Sequence, residues 1–137
     1  MPTPSTSETP GSAAAHCAVD YDPDSAMVTM RWSGYAAGAD FRAANDRVLA
    51  EITERRAGRL LGDIEHLGAI DGRDQAWLAQ EWLPRAAGAG LRFVALVTPA
   101  FGLEHAPVRL VGEQLPPGMR LEYFDDLEGG RTWLREQ

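Results

Sequence analysis

The chain has no lysine: all 13 of its basic residues are arginine. A guanidinium stays protonated and offers no free amine, so Schiff-base catalysis and a phosphate-loop lysine are both excluded. Cysteine is almost missing as well, with Cys17 alone. One thiol makes no internal disulfide and no cysteine cluster for zinc, which fits a reducing cytoplasm. Positive charge is in deficit: 13 Arg against 20 Asp and Glu give a formal net charge of -7 and a pI of about 4.9. That sign repels nucleic acid and anionic membrane, and neither is expected as a partner.

No run of residues approaches the roughly 18 apolar positions of a membrane span, so no membrane anchor is expected. The opening MPTPSTSETPGSAAA lacks the basic start and apolar centre of a secretory leader. Its Ser, Thr, Pro, Gly and Ala bury too little to offset the entropy of ordering, and residues 1–15 are expected to form a flexible tail. A cytoplasmic protein is the reading. What remains, residues 16–137, has the size of one domain, and 45% hydrophobic residues suffice for one core around a sheet.

Cys17, Val19 and Tyr21 alternate with polar or small residues, Asp22-Pro23-Asp24-Ser25 supplies turn chemistry, and Val28, Met30 and Trp32 alternate again. This predicts a β-hairpin with one buried face per strand. From about residue 40 to 57, Phe41, Ala44, Val48, Leu49 and Ile52 recur at helical spacing until Gly58. A short strand follows at 60–64, then a loop, then a helix over about 71–87. The run LRFVALVT, 91–98, predicts a central strand buried on both faces. A shorter helix is expected around Leu103 to Val111, then a strand over 119–124. Asp125 with Glu128 predicts a capped final helix, which Gly129-Gly130 weakens. The order ββαβαβαβα implies right-handed crossovers, giving an α/β fold with a mostly parallel five-stranded sheet, an antiparallel first strand and about four helices.

The loop LLGDIEHLGAIDGRD, residues 60–74, gathers Asp63, Glu65, His66, Asp71 and Asp74 beside Gly72. It lies past the carboxyl end of a strand, where open α/β sheets bind ligands. Strand alternation points Asp63 and Glu65 one way and His66 the other, and no metal-ligand spacing is present, so no metal or cofactor is expected. Asp71, as N-cap, and Asp74, in the first turn, answer the amide donors and dipole of their own helix, leaving no anion site. Acid/base chemistry through Asp63, Glu65 and His66 has no Ser or Cys nucleophile beside it. The plainer reading is a capped helix start with solvated charge.

On a 100-degree wheel, Leu78, Ala79, Trp82, Leu83 and Ala86 form the core stripe of the helix over 71–87, and Trp77 falls opposite, among Arg73, Asp74, Gln80, Glu81 and Pro84. Either Trp77, with Arg73 and Glu81, contacts a partner protein or a second copy, or it is covered by the Gly34 to Gly38 segment or the N-terminal tail. Pro84 is expected to kink the helix and make its last turn irregular.

This element order, with Asp63-Ile64 closing a strand and Ile70-Asp71-Gly72 opening the next helix, resembles the STAS (sulfate transporter and anti-sigma factor antagonist) superfamily and its SpoIIAA-like fold over residues 16–137. Small stand-alone bacterial STAS-like proteins are similar also in Trp77, Trp82 and Pro84 and in Tyr123-Phe124-Asp125-Asp126 before Trp133-Leu134. In the anti-sigma antagonists the matching loop carries a phosphorylated serine. Glu65 and Gly72 stand here where that loop has serines, and Gly72 takes the place of the phosphorylated one. The resemblance therefore implies a non-enzymatic regulatory or protein-interaction module without that switch, acting on a protein partner or as a homodimer. Two alternatives stand beside it: a carrier of a small apolar ligand or lipid, and an enzyme using Asp63, Glu65 and His66.

Overall fold

The computed structural model describes residues 17–34, 38–67, 70–98 and 115–137. Strands β1 (Cys17–Asp22), β2 (Met27–Gly34), β3 (Arg59–Leu67), β4 (Phe93–Val97) and β5 (Arg120–Phe124) lie side by side in chain order. β1 runs antiparallel to β2, and every later pairing is parallel. Helix α1 (Gly38–Arg55) connects β2 to β3. Helix α2 connects β3 to β4 in three consecutive pieces: an α-helical Gly72–Trp77, a π-helical turn Leu78–Trp82 and an α-helical Leu83–Gly88. Helix α3 (Leu127–Arg135) follows β5. Three helices thus stand among the described residues where about four were expected. The helix expected around residues 103–111 and the tail expected over 1–15 lie outside the described residues.

Two apolar layers sandwich the sheet. Val28, Met30, Leu60, Ile64, Val94 and Leu96 meet α1 and α2 on one face. Met27, Leu61, Ala95 and Val97 meet Leu134 of α3 on the other. The final helix can sit close because Gly130 has no side chain: a Cβ there would lie 2.9 Å from Leu61 and 3.4 Å from Ala95. The glycine that lowers helix propensity is what lets the helix pack. Its N-cap is Asp126, one residue later than expected, because the Asp126 carboxylate accepts the Gly129 amide at 2.8 Å.

Three local features depart from regular periodicity. The β2–β3 register slips between Arg31, opposite Asp63, and Ser33, opposite His66, so β3 carries one extra residue there. The expected alternation fails at that point: Asp63 and Ile64 are both buried, and Glu65 and His66 are both exposed. α1 ends at Arg55, short of Gly58: Arg56 adopts φ 55°, with the Ala57 amide donating back to the Ile52 carbonyl at 3.0 Å. In α2 the irregularity precedes Pro84 rather than following it. The Leu83 amide reaches back to the Leu78 carbonyl, an i to i-5 bond. The wider turn comes just before the proline, whose ring would crowd the carbonyl four residues back in a regular helix.

Candidate functional site

The carboxyl ends of β2 and β3 and the amino ends of α1 and α2 converge at one end of the sheet. Asp71 is the N-cap of α2 as expected, accepting the Arg73 amide at 2.7 Å. Gly72 follows it, exposed, with open space where a Cβ would project. Asp74 has a different role from the expected one. It is 2% exposed, and it accepts the Gly38 amide of α1 at 3.0 Å and the Arg42 Nε at 3.4 Å. The carboxylate thus answers the positive end of the neighbouring helix instead of its own. Asp74 joins the two helices.

Arg42, held by Asp74, places its guanidinium 5.4 Å from the centre of the Trp77 ring. Trp77 is half-buried and packs against the main core. The wheel placed both Trp77 and Asp74 on the polar face, and the structure corrects both. A π turn inserts an extra residue per turn, so side chains before it are rotated relative to those after it, and a uniform 100-degree step misplaces them. What covers Trp77 is in part Arg42 from α1; residues 35–37 and the N-terminal tail lie outside the described residues. Arg73 and Glu81, expected beside Trp77, are exposed.

Asp63 is also committed. It is 5% exposed, accepts the Glu65 amide at 3.2 Å and lies 3.7 Å from the Arg31 Nε across the β2–β3 pairing. The residues expected in one loop are therefore split: Asp63 is held inside the sheet, Glu65 and His66 belong to β3, which runs on to Leu67, and face outward, and Asp71 and Asp74 hold helix ends. Among the described residues, no three His, Cys, Asp or Glu side chains come together as a metal-binding group. Arg42 and Arg31 carried no signal in the sequence, because each pairs with an acid about thirty residues away, beyond any local periodicity.

Between the sheet and helices α1 and α2 lies an apolar cavity of about 50 Å³, bordered by Trp32, Phe41, Leu60, Leu78 and Trp82. Among the described residues that line it, Asn45 donates its side-chain amide to the Phe41 backbone carbonyl at 3.0 Å, while the Trp82 indole donates to the Asn45 backbone carbonyl at 2.7 Å. An engineered cavity that admits benzene is about 150 Å³, so this space is too small for a lipid chain as it stands.

No family model matches the sequence, and no curated protein is significantly similar to it. Among solved structures, the chain is similar to an uncharacterized protein of the DUF3478 family from Shewanella loihica PV-4, which has a SpoIIAA-like fold. The TM-score is 0.61 at 17% identity, with 86% of this chain and 91% of that one covered. The chain folds as a SpoIIAA-like domain. At this identity the likeness is one of fold, which the mixed sheet and the helix arrangement already imply, and fold alone does not fix an activity. Among the described residues of this SpoIIAA-like domain, no helix is long and apolar enough to cross a membrane.

Proposed function

We propose that this SpoIIAA-like domain is a non-catalytic module that binds a protein partner through the α1–α2 surface around Trp77. The observation that carries this reading is the Arg42–Trp77 stack fixed from beneath by buried Asp74. Trp and Arg dominate protein-binding hot spots, because each offers a large contact area with a polar edge. A pair already locked in place loses little conformational freedom on binding. The Arg42 side chain keeps 42% of its surface exposed, so the pair is open to a partner.

The acid/base alternative is less well supported, because Asp63 is bonded within the sheet while Glu65 and His66 sit on the strand exterior. A general base and its helper need a shared reacting position. The test is affinity capture from the source cell with wild-type and Trp77→Ala baits. Loss of a wild-type partner by the variant, with unchanged circular dichroism, is expected. A partner set identical for both baits would sink the reading. A catalytic role would show as loss of phenotype in the Asp63, Glu65 and His66 triple alanine variant.

A further inference from the structure

β5 closes the described sheet, with β4 on one side and no described strand on the other. Arg120 and Glu122 are exposed on it, and Leu121, Tyr123 and Phe124 are half-exposed. Backbone direction decides what the open side offers. The Arg120 amide donates to the Arg92 carbonyl at 2.8 Å, and the Phe124 carbonyl accepts from the Thr98 amide at 3.0 Å, so the even-numbered positions face β4. Alternate residues of a strand turn their backbone groups to opposite neighbours, so Leu121 points its N–H and C=O away from β4. Such an edge is a template for another strand unless something blocks it.

We propose that β5 pairs antiparallel with β5 of a second copy of this chain, in the register centred on Leu121. Charge selects this register. Centring on Arg120 opposes Arg to Arg, and centring on Glu122 opposes Glu to Glu; both are unfavourable. Centring on Tyr123 sets Glu122 against Phe124 and leaves Arg120 with no partner inside the strand. Centring on Leu121 sets Arg120 opposite Glu122 of the second copy, and two-fold symmetry repeats the pair. Leu121 then faces its own equivalent. The Arg-Leu-Glu order is complementary to its own reversal, which favours a second copy over an unrelated strand.

The opposite edge is unsuited to the same pairing. β1 carries Asp20 and Asp22 and no basic residue, and Arg47 donates to its Cys17 carbonyl at 3.0 Å. The β5 seam is a different surface from the Arg42–Trp77 patch, so either assignment can fail without the other.

Sedimentation equilibrium over micromolar to submillimolar concentrations tests the proposal. Wild type is expected to show a concentration-dependent monomer–dimer equilibrium. Arg120→Glu and Glu122→Arg should each weaken it roughly tenfold or more, since each opposes like charges twice. An equimolar mixture of the two variants should recover association, because each supplies the sign the other lacks, and the charge-exchanged double variant should recover it alone. Arg120 also lies 5.9 Å from the Trp133 ring, but damage to that contact is not repaired by mixing. Circular dichroism verifies the fold of each variant. A wild type that stays monomeric throughout, single variants that associate as wild type does, or a mixture no tighter than its components would each overturn the proposal.

Discussion

Asp74, in the first turn of α2, accepts the Gly38 amide at the start of α1, 3.0 Å away and 36 residues earlier in the chain. One buried carboxylate of α2 thereby answers the start of α1 and orients Arg42. Asp74→Ala leaves the Gly38 amide without this acceptor and Arg42 without its counter-ion. Because Arg42 can rehydrate, the expected loss of stability is about 1–3 kcal/mol, read by urea denaturation. A midpoint equal to that of wild type would contradict this joint between the two helices.

Arg42→Lys separates charge from shape. Lysine keeps the positive charge beside Asp74 but loses the flat guanidinium that lies over Trp77. Stability should change by less than about 1 kcal/mol, while partner capture falls toward that of Trp77→Ala. Undiminished capture would show that the stacked geometry is irrelevant to binding.

Two glycine substitutions should act in opposite directions. Gly130→Ala improves intrinsic helix propensity yet drives a Cβ to 2.9 Å from Leu61, so it should destabilise by about 1–3 kcal/mol. Gly72→Ala meets open space at the start of α2 and should stabilise by about 0.4–1 kcal/mol. Thermal melts of the two proteins distinguish them at once.

Arg59 holds the end of α3, donating to the Leu134 carbonyl at 2.7 Å, to the Ser25 carbonyl at 2.8 Å and to the Gln137 carbonyl. Arg59→Met keeps much of the stem and loses all three bonds, at a cost of about 2 kcal/mol. Hydrogen exchange of residues 134–137 should quicken more than that of β3, and uniform acceleration would argue against a local clasp.

Burial pushes the Cys17 thiol up to about 11, with Arg47 partly opposing it. The unfolded thiol ionises near 9.0, so the folded state loses stability relative to the unfolded one as pH rises from about 9 to 11, and the contribution is intact below pH 9. Cys17→Ala should flatten that part of the stability curve. If the alkaline decline is the same in both proteins, it arises elsewhere. Labelling of native Cys17 by thiol reagents at neutral pH should be slow for the same reason.

The order of the described strands and helices was legible in the sequence because each of them declares itself within a few residues. Alternation in Val28, Met30 and Trp32, helical spacing in Phe41, Ala44, Val48 and Ile52, and the unbroken run in β4 each reflect a local period set by backbone geometry. The Asp71 cap was legible for the same reason, since its acceptor and the Arg73 donor lie two residues apart. Right-handed crossovers then implied a mostly parallel sheet, while the order of the strands across it was decided by the structure.

Tertiary structure decided what depends on partners distant in the chain. The extra residue in β3 turned Glu65 and His66 outward together, and no property of those side chains announces it. The π turn before Pro84 reset the phase of α2, which brought Trp77 against the core and Asp74 inside it. Arg42 and Arg31 became the counter-ions of Asp74 and Asp63 only once β2, α1, β3 and α2 had packed. Backbone periodicity is written over five or so residues and survives in the sequence, whereas an ion pair across thirty residues exists only after the chain has folded.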